Sequence, residues 1–219
     1  IRGFGASSAW RSSAYTTAQA DTLWLNDNVN GHVGLSMLRH RIPTDGNFAY
    51  GTAVLQQARD RGVTQIWASE WSPPPSYKSN SSTVCGYLNP SSYGDYANYL
   101  YQAATTLRNN YGITLIAISP FNEPGLCTAY ESCTMSGTQI HDFIAQMGAT
   151  FTSTGLINTT KIVMPEVETI NDISSFADPT MNDTTTRGYV WAVATHLYWW
   201  NSAAVTVYGN LNGKEYWET

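Results

Sequence analysis

The chain has 219 residues, enough for one sizeable core, and 8 Trp with 14 Tyr bring its aromatic share to 13%. Charged residues make up only 12% and the formal net charge is −5, so no basic field is present to gather phosphates, and nucleic acid is excluded as a partner. No stretch approaches membrane-spanning length and the sequence does not open on a charged-then-apolar leader, so no membrane partner is expected.

Strand-like apolar runs alternate with helical patterns along the chain. Residues 2–6 and 35–42 read as the first two strands, and 51–61, closed by Gly62, as a helix. A third strand covers 65–69. Tyr93, Tyr96, Ala97, Leu100, Tyr101, Ala104, Leu107 and Tyr111 then recur at helical spacing, with Ser92 as the predicted N-cap, Asp95 three residues on and Gly112 as the stop. Strand four spans 115–121, a helix spans 137–154 before Gly155, and strands follow at 161–166, 191–197 and 215–219.

This grammar means parallel strands joined by crossover helices, as in a doubly wound sheet or a (β/α)8 barrel. A nucleotide-binding doubly wound sheet needs G-x-G-x-x-G after its first strand, and Gly3-Phe4-Gly5-Ala6-Ser7-Ser8 lacks the third glycine. The barrel is favoured. Six full βα units and a seventh strand read as an incomplete (β/α)8 TIM barrel, one domain over residues 1–219. Its open sheet edges and uncovered interior would be closed either by self-association or by a longer parent chain.

In a barrel the carboxyl ends of the strands line the active site. Glu123 is the leading candidate: the run Ile113-Thr114-Leu115-Ile116-Ala117-Ile118 delivers Ser119-Pro120-Phe121-Asn122-Glu123-Pro124, a stiffened carboxylate with an amide beside it. It reads as a catalytic acid/base. Arg39 and His40 end strand two; Arg39 reads either as a cleft residue or as half of a structural ion pair, and His40 as a structural hydrogen-bonder. Glu70 and Trp71 end strand three, where Trp71 before Ser72-Pro73-Pro74-Pro75 is either a sugar-stacking platform or a loop anchor. Glu166 ends strand five as a hydrogen-bonding group, and His196 and Tyr198 end strand six facing the cleft, with Trp199 and Trp200 left open.

G-x-S-x-G, H-E-x-x-H and paired C-x-x-C are all missing, which leaves a hydrolase without cofactor or metal. Flat rings among neutral Ser, Thr and Asn side chains suit a neutral polysaccharide substrate. Cys127 and Cys133 share one loop and can pair, or Cys85 can reach either of them; with low charge and the sequons at Asn80, Asn158 and Asn182, a disulfide leans toward secretion to the extracellular space.

Six elements taken together resemble glycoside hydrolase family 30 across the whole chain. They are Gly3-Phe4-Gly5-Ala6, Leu38-Arg39-His40, Trp71-Ser72-Pro73-Pro74, Ile118 to Pro124, Thr195-His196-Leu197-Tyr198 and Gly213 to Thr219. The resemblance implies a retaining mechanism, with Glu123 as acid/base and Asn122 on the sugar 2-hydroxyl, and the strand-end residues Arg39, Trp71, Glu166, His196 and Tyr198 complete the expected substrate-binding set. It points to an endo-β-1,4-xylanase, with β-1,6-glucanase and β-1,6-galactanase specificities sharing the same core elements. A catalytically impaired barrel that binds glycans is the alternative, because the family's nucleophile element Trp-x-Thr-Glu is matched by Trp217-Glu218-Thr219 only over its first three positions. Glu218 would need a register shift to take the nucleophile's place. Glu70 is expected to add an acid to the cleft, and the loop 125–135 to shape the subsites beside Glu123.

Overall fold

A computed structural model describes residues 1–29, 31–198 and 208–219. Seven parallel strands stand side by side in sequence order in one curled sheet, an incomplete (β/α)8 barrel. They are β1 (Gly5–Ser7), β2 (Met37–Arg41), β3 (Gln65–Ser69), β4 (Ala117–Ser119), β5 (Lys161–Val167), β6 (Val190–Thr195) and β7 (Glu215–Glu218). The helices α1 (Thr17–Trp24), α2 (Thr52–Arg59), α3 (Tyr93–Tyr111), α4 (Gly137–Ser153), α5 (Ile173–Asn182) and α6 (Thr184–Tyr189) fill the crossovers as far as β6.

Strand alternation divides the core in two. Trp67, Ala117, Val163, Ala192, Ala194 and Trp217 form the inner cluster within the curl of the sheet. Their neighbours Leu38, Ile66, Ile118, Ile162, Met164 and Val193 face outward into the larger cluster beneath the helices. Helix α4 shows why the helices lie there: Ile140, Phe143, Ile144, Met147 and Phe151 return every three or four residues to one buried face. Its start is fixed by a capping box, with Ser136 accepting from the Gln139 amide and the Gln139 side chain accepting from the Ser136 amide.

Helix α3 ends at Gly112, whose φ of 67° is the left-handed turn that a glycine permits. Its start differs from the sequence reading: Ser92 closes a short 3-10 turn and its side chain caps nothing. The first strand lies later than 2–6, and Phe4 is left largely exposed. Trp199 and Trp200 lie outside the described residues. No helix among the described residues is long and apolar enough to cross a membrane.

Candidate active site

The inward-facing positions that build the site follow from strand register. Arg39 on β2 pairs in register with Trp67, and Ser69 follows two residues later on the same inner face of β3. On β6, Ala192 and Ala194 face inward, and one more step of the same alternation brings His196 to the mouth. Glu166 does not follow this rule. A register shift between Pro165 and Val167, with Glu166 at φ 59°, turns its side chain inward.

Glu123 leaves β4 in the same left-handed conformation, φ 51°, rare for a residue with a side chain and costing on the order of 1–3 kcal/mol. Two backbone bonds hold it there: its amide donates to the Glu166 carbonyl at 2.9 Å, and the Asn122 amide donates to the Glu70 carbonyl at 2.8 Å. The carboxylate is therefore aimed by the ends of three strands.

The side chains form one connected network. His196 Nδ1 lies 2.9 Å from Glu123 Oε1, and its Nε2 lies 3.5 Å from Glu166 Oε1. Glu166, fully buried, accepts from Ser69 Oγ at 2.7 Å and is ion-paired with Arg39. The Arg39 guanidinium also donates to Ser69 Oγ at 3.0 Å through Nε and to Asn122 Oδ1 through a terminal nitrogen. Asn122 thus has its carbonyl oxygen engaged, which leaves its amide nitrogen to donate outward.

Burial by itself would lower the His196 pKa, but hydrogen bonds to Glu123 and Glu166 outweigh it and raise the imidazole to about 9. Burial pushes Glu166 the other way, upward, and the Arg39 charge with the His196 hydrogen bond more than reverses it, so Glu166 is held ionised. On β7, burial raises Glu218 to about 6 against the opposing charge of His196.

Trp71 is buried, with Arg39 4.5 Å from its ring centre, and the ring exposed beside it is Trp10, 5.8 Å away. Tyr198 is exposed at the mouth with its ring 5.6 Å from that of His196. His40 is fully enclosed and burial lowers it to about 4, far from any role in proton transfer at neutral pH. Glu70 does not enter the cleft. Its carboxyl group is fully buried and has no hydrogen-bond partner among the described residues, and the neighbouring Tyr96 hydroxyl donates instead to the Pro120 carbonyl at 2.6 Å.

The loop after Glu123 is tied down along its length. A disulfide joins Cys85 to Cys127 and leaves Cys133 a buried free thiol, which settles the pairing the sequence left open. Arg41 forms an ion pair with Glu131, Lys78 Nζ donates to the Ser132 carbonyl at 2.6 Å, and the Ser132 amide donates to the Thr83 carbonyl at 2.9 Å. The loop passes close to Glu168 at Gly125, where an added Cβ would stand 2.6 Å from Glu168 Oε1 and the carboxyl group would have to move aside. Tyr130 projects exposed from this loop and feels the charge of Glu123.

Three residues of the site escape the sequence reading. Ser69 was within reach of it, two positions after Trp67 on an alternating strand; Trp10 and Tyr130 lie in loops without periodicity and carried no signal.

A family model described as O-glycosyl hydrolase family 30 matches residues 44–219. Among solved structures, a glycoside hydrolase family 30 subfamily 8 xylanase from Clostridium acetobutylicum superposes with a TM-score of 0.84 at 36% identity, over 100% of this chain and 55% of that one. A family 30 endoxylanase from Clostridium papyrosolvens gives 0.78 at 26% identity, over 100% and 56%. The catalytic domain of a family 30 xylanase C from Talaromyces cellulolyticus gives 0.76 at 27% identity, over 90% and 53%. The chain thus spans a little over half the length of these relatives. No curated protein sequence matches it.

Proposed function

The chain belongs to glycoside hydrolase family 30, and from that membership we propose that the protein is a retaining endo-β-glycanase acting on a neutral polysaccharide outside the cell, with xylan the leading substrate. The observation that carries the reading is the seating of Glu123: a strained, nearly buried carboxylate at a barrel strand end, 2.9 Å from His196 and next to an Asn122 held by Arg39.

In this reading Glu123, protonated, donates to the glycosidic oxygen as the bond to the leaving sugar breaks. A second carboxylate attacks the anomeric carbon from the opposite face and forms the glycosyl-enzyme. Glu123, now ionised, takes a proton from water, and that water releases the sugar with its original configuration. Strand β7 carries Trp217-Glu218-Thr219, which match the first three positions of the family's Trp-x-Thr-Glu, the element whose Glu supplies the second carboxylate in this scheme.

The residues around Glu123 have separable tasks. Asn122 offers its amide hydrogens to a sugar hydroxyl, because Arg39 engages its oxygen. His196 sets the position of the Glu123 carboxyl, and Tyr198 offers an exposed ring at the mouth. Glu166 acts behind them, fixing Arg39 and His196 rather than touching the sugar. Xylan is favoured by the 36% identical xylanase, and secretion by the Cys85–Cys127 disulfide.

The test is to incubate the protein with xylan and, in parallel, with β-1,6-glucan and β-1,6-galactan, and to follow the anomeric proton of fresh product by NMR. The β-anomer appearing first from xylan supports the reading. The α-anomer appearing first contradicts a retaining mechanism, and product only from a β-1,6-linked polymer moves the substrate assignment within the family.

A further inference from the structure

We propose that the Cys85–Cys127 disulfide is the tether that holds the near half of the loop after Glu123 at the cleft mouth, so that a thiol reductant loosens substrate binding while leaving the acid/base in its seat. The inference rests on the glycanase reading and adds to it a control over affinity.

The two halves of the loop are held differently. Residues 131–135 are fixed by non-covalent ties to other segments: Arg41 pairs with Glu131, Lys78 Nζ and the Thr83 carbonyl engage the two backbone groups of Ser132, and the Thr134 amide donates to the Gly86 carbonyl at 2.8 Å. Among the described residues, the hydrogen bonds that residues 126–130 donate stay inside the loop. The Leu126 amide donates to the Glu123 carbonyl at 3.0 Å, the Thr128 amide to Ser132 Oγ at 3.3 Å, and Thr128 Oγ1 to the Tyr130 carbonyl at 3.2 Å. What ties this half to another segment is the bond from Cys127 to Cys85, between β3 and α3, with Cys85 Sγ also 3.9 Å from the Thr128 carbonyl oxygen.

The bond is within reach of a reductant, since Cys127 is exposed and Cys85 half-buried. A dithiol such as dithiothreitol supplies two electrons and two protons: the S–S bond breaks, both cysteines become thiols, and the reagent closes into its own cyclic disulfide. Cys85 then has reason to move, because its φ of 53° is a left-handed conformation that costs on the order of 1–3 kcal/mol. Cys133 does not take over the bond. It is buried, and burial raises its thiol to about 12, so the nucleophilic thiolate is not formed at neutral pH.

The tethered half borders the cleft. Burial raises the Tyr130 hydroxyl, and the charges of Glu123 and Tyr198 raise it further, so Tyr130 stands near both sides of the mouth. Glu123 itself is seated by other bonds, from its own amide to Glu166 and from the Asn122 amide to Glu70. The Met135 amide also closes the base of the loop on the Pro124 carbonyl at 2.9 Å. Opening the disulfide therefore frees the wall beside the substrate and leaves the proton donor where it is.

The experiment measures kcat and KM on xylan for the oxidised protein, for the protein reduced with dithiothreitol, and after reoxidation, with free thiols counted and a thermal melt recorded in each state. Reduction is expected to raise KM about 3- to 10-fold, as a wall that spends less time in its binding position requires, with kcat within twofold and full recovery on reoxidation. Cys85→Ser with Cys127→Ser should reproduce the reduced values and ignore dithiothreitol, whereas Cys133→Ala should keep the response. An unchanged KM once the thiol count has risen by two, or a fall in kcat instead, overturns the tether. A melt that drops to the assay temperature on reduction makes the bond a staple of the whole fold and also overturns it. Absence of release by the oxidised protein overturns the glycanase reading together with it.

Discussion

The backbone amide of Glu123 donates to the carbonyl of Glu166 at 2.9 Å, and both residues hold left-handed backbone conformations, φ 51° and 59°. Adjacent strand ends thus turn two carboxylates toward the same imidazole, that of His196, by the same backbone device. One of them keeps a small exposed surface at the mouth and the other has none. In the proposed function that difference divides the labour, with Glu123 meeting the ligand and Glu166 holding the groups around it.

The Arg39 and Glu166 pair should behave as one unit. Removing only the guanidinium by Arg39→Met leaves a carboxylate buried without its charge partner, which costs about 3–5 kcal/mol. Arg39→Met combined with Glu166→Met replaces both charges with apolar groups, so it should cost less than the sum of the single changes by more than about 1 kcal/mol. Urea denaturation of the four proteins measures the coupling, and additive losses would show that the pair is not coupled.

His196 gives the fold a pH dependence on the alkaline side. Its folded pKa of about 9 lies above the ordinary imidazole value of 6.5, since Glu123 and Glu166 favour the charged ring against burial and the opposing charge of Arg39. A group raised on folding binds its proton more tightly in the native state, so its stabilisation is fully present below 6.5 and is lost as pH rises toward 9. Thermal melts should fall across that window, and His196→Gln should start lower and fall less steeply.

Glu70 predicts a different slope. Burial, with the charge of Glu131 adding to it, raises its carboxyl well above 4.5, against the weaker opposing charges of Arg41 and Lys78. The folded state therefore keeps Glu70 protonated while the unfolded chain releases the proton, and stability is lost as pH rises above the ordinary carboxylate value. Glu70→Gln keeps the shape without the titration. It should match the parent near pH 4 and exceed it once the pH is well above the ordinary carboxylate value, as measured by chemical denaturation in the two conditions. A constant difference would show that Glu70 does not titrate on folding.

The legible part of the molecule was the part carried by periodicity. Alternation of apolar runs with helical patterns is what a parallel barrel requires, and the strands ending on Glu123, Arg39 and His196 stood out because each projects a polar group from an apolar run. Two kinds of feature were hidden. Glu166 was named among the strand-end candidates, but the bulge after Pro165 that turns it inward against the alternation is encoded in no single-strand pattern. The Cys85–Cys127 pairing and the Trp10–Trp71 contact join loops that meet only when the strands stand side by side in the sheet. The expectation that Glu70 enters the cleft failed for a related reason: the residue at the strand end turned its side chain into the packing of Tyr96 and Lys78 rather than toward the mouth.

The most direct test of the account is the release of reducing ends from xylan by the protein and by Glu123→Gln, with xylan binding measured in both. The expected result is release by the parent that falls about 10²–10⁴-fold in Glu123→Gln, with binding retained, as loss of a general acid/base requires. Undiminished release by Glu123→Gln, or binding without release by the parent, would contradict the assignment of Glu123 as the catalytic acid/base of a glycanase.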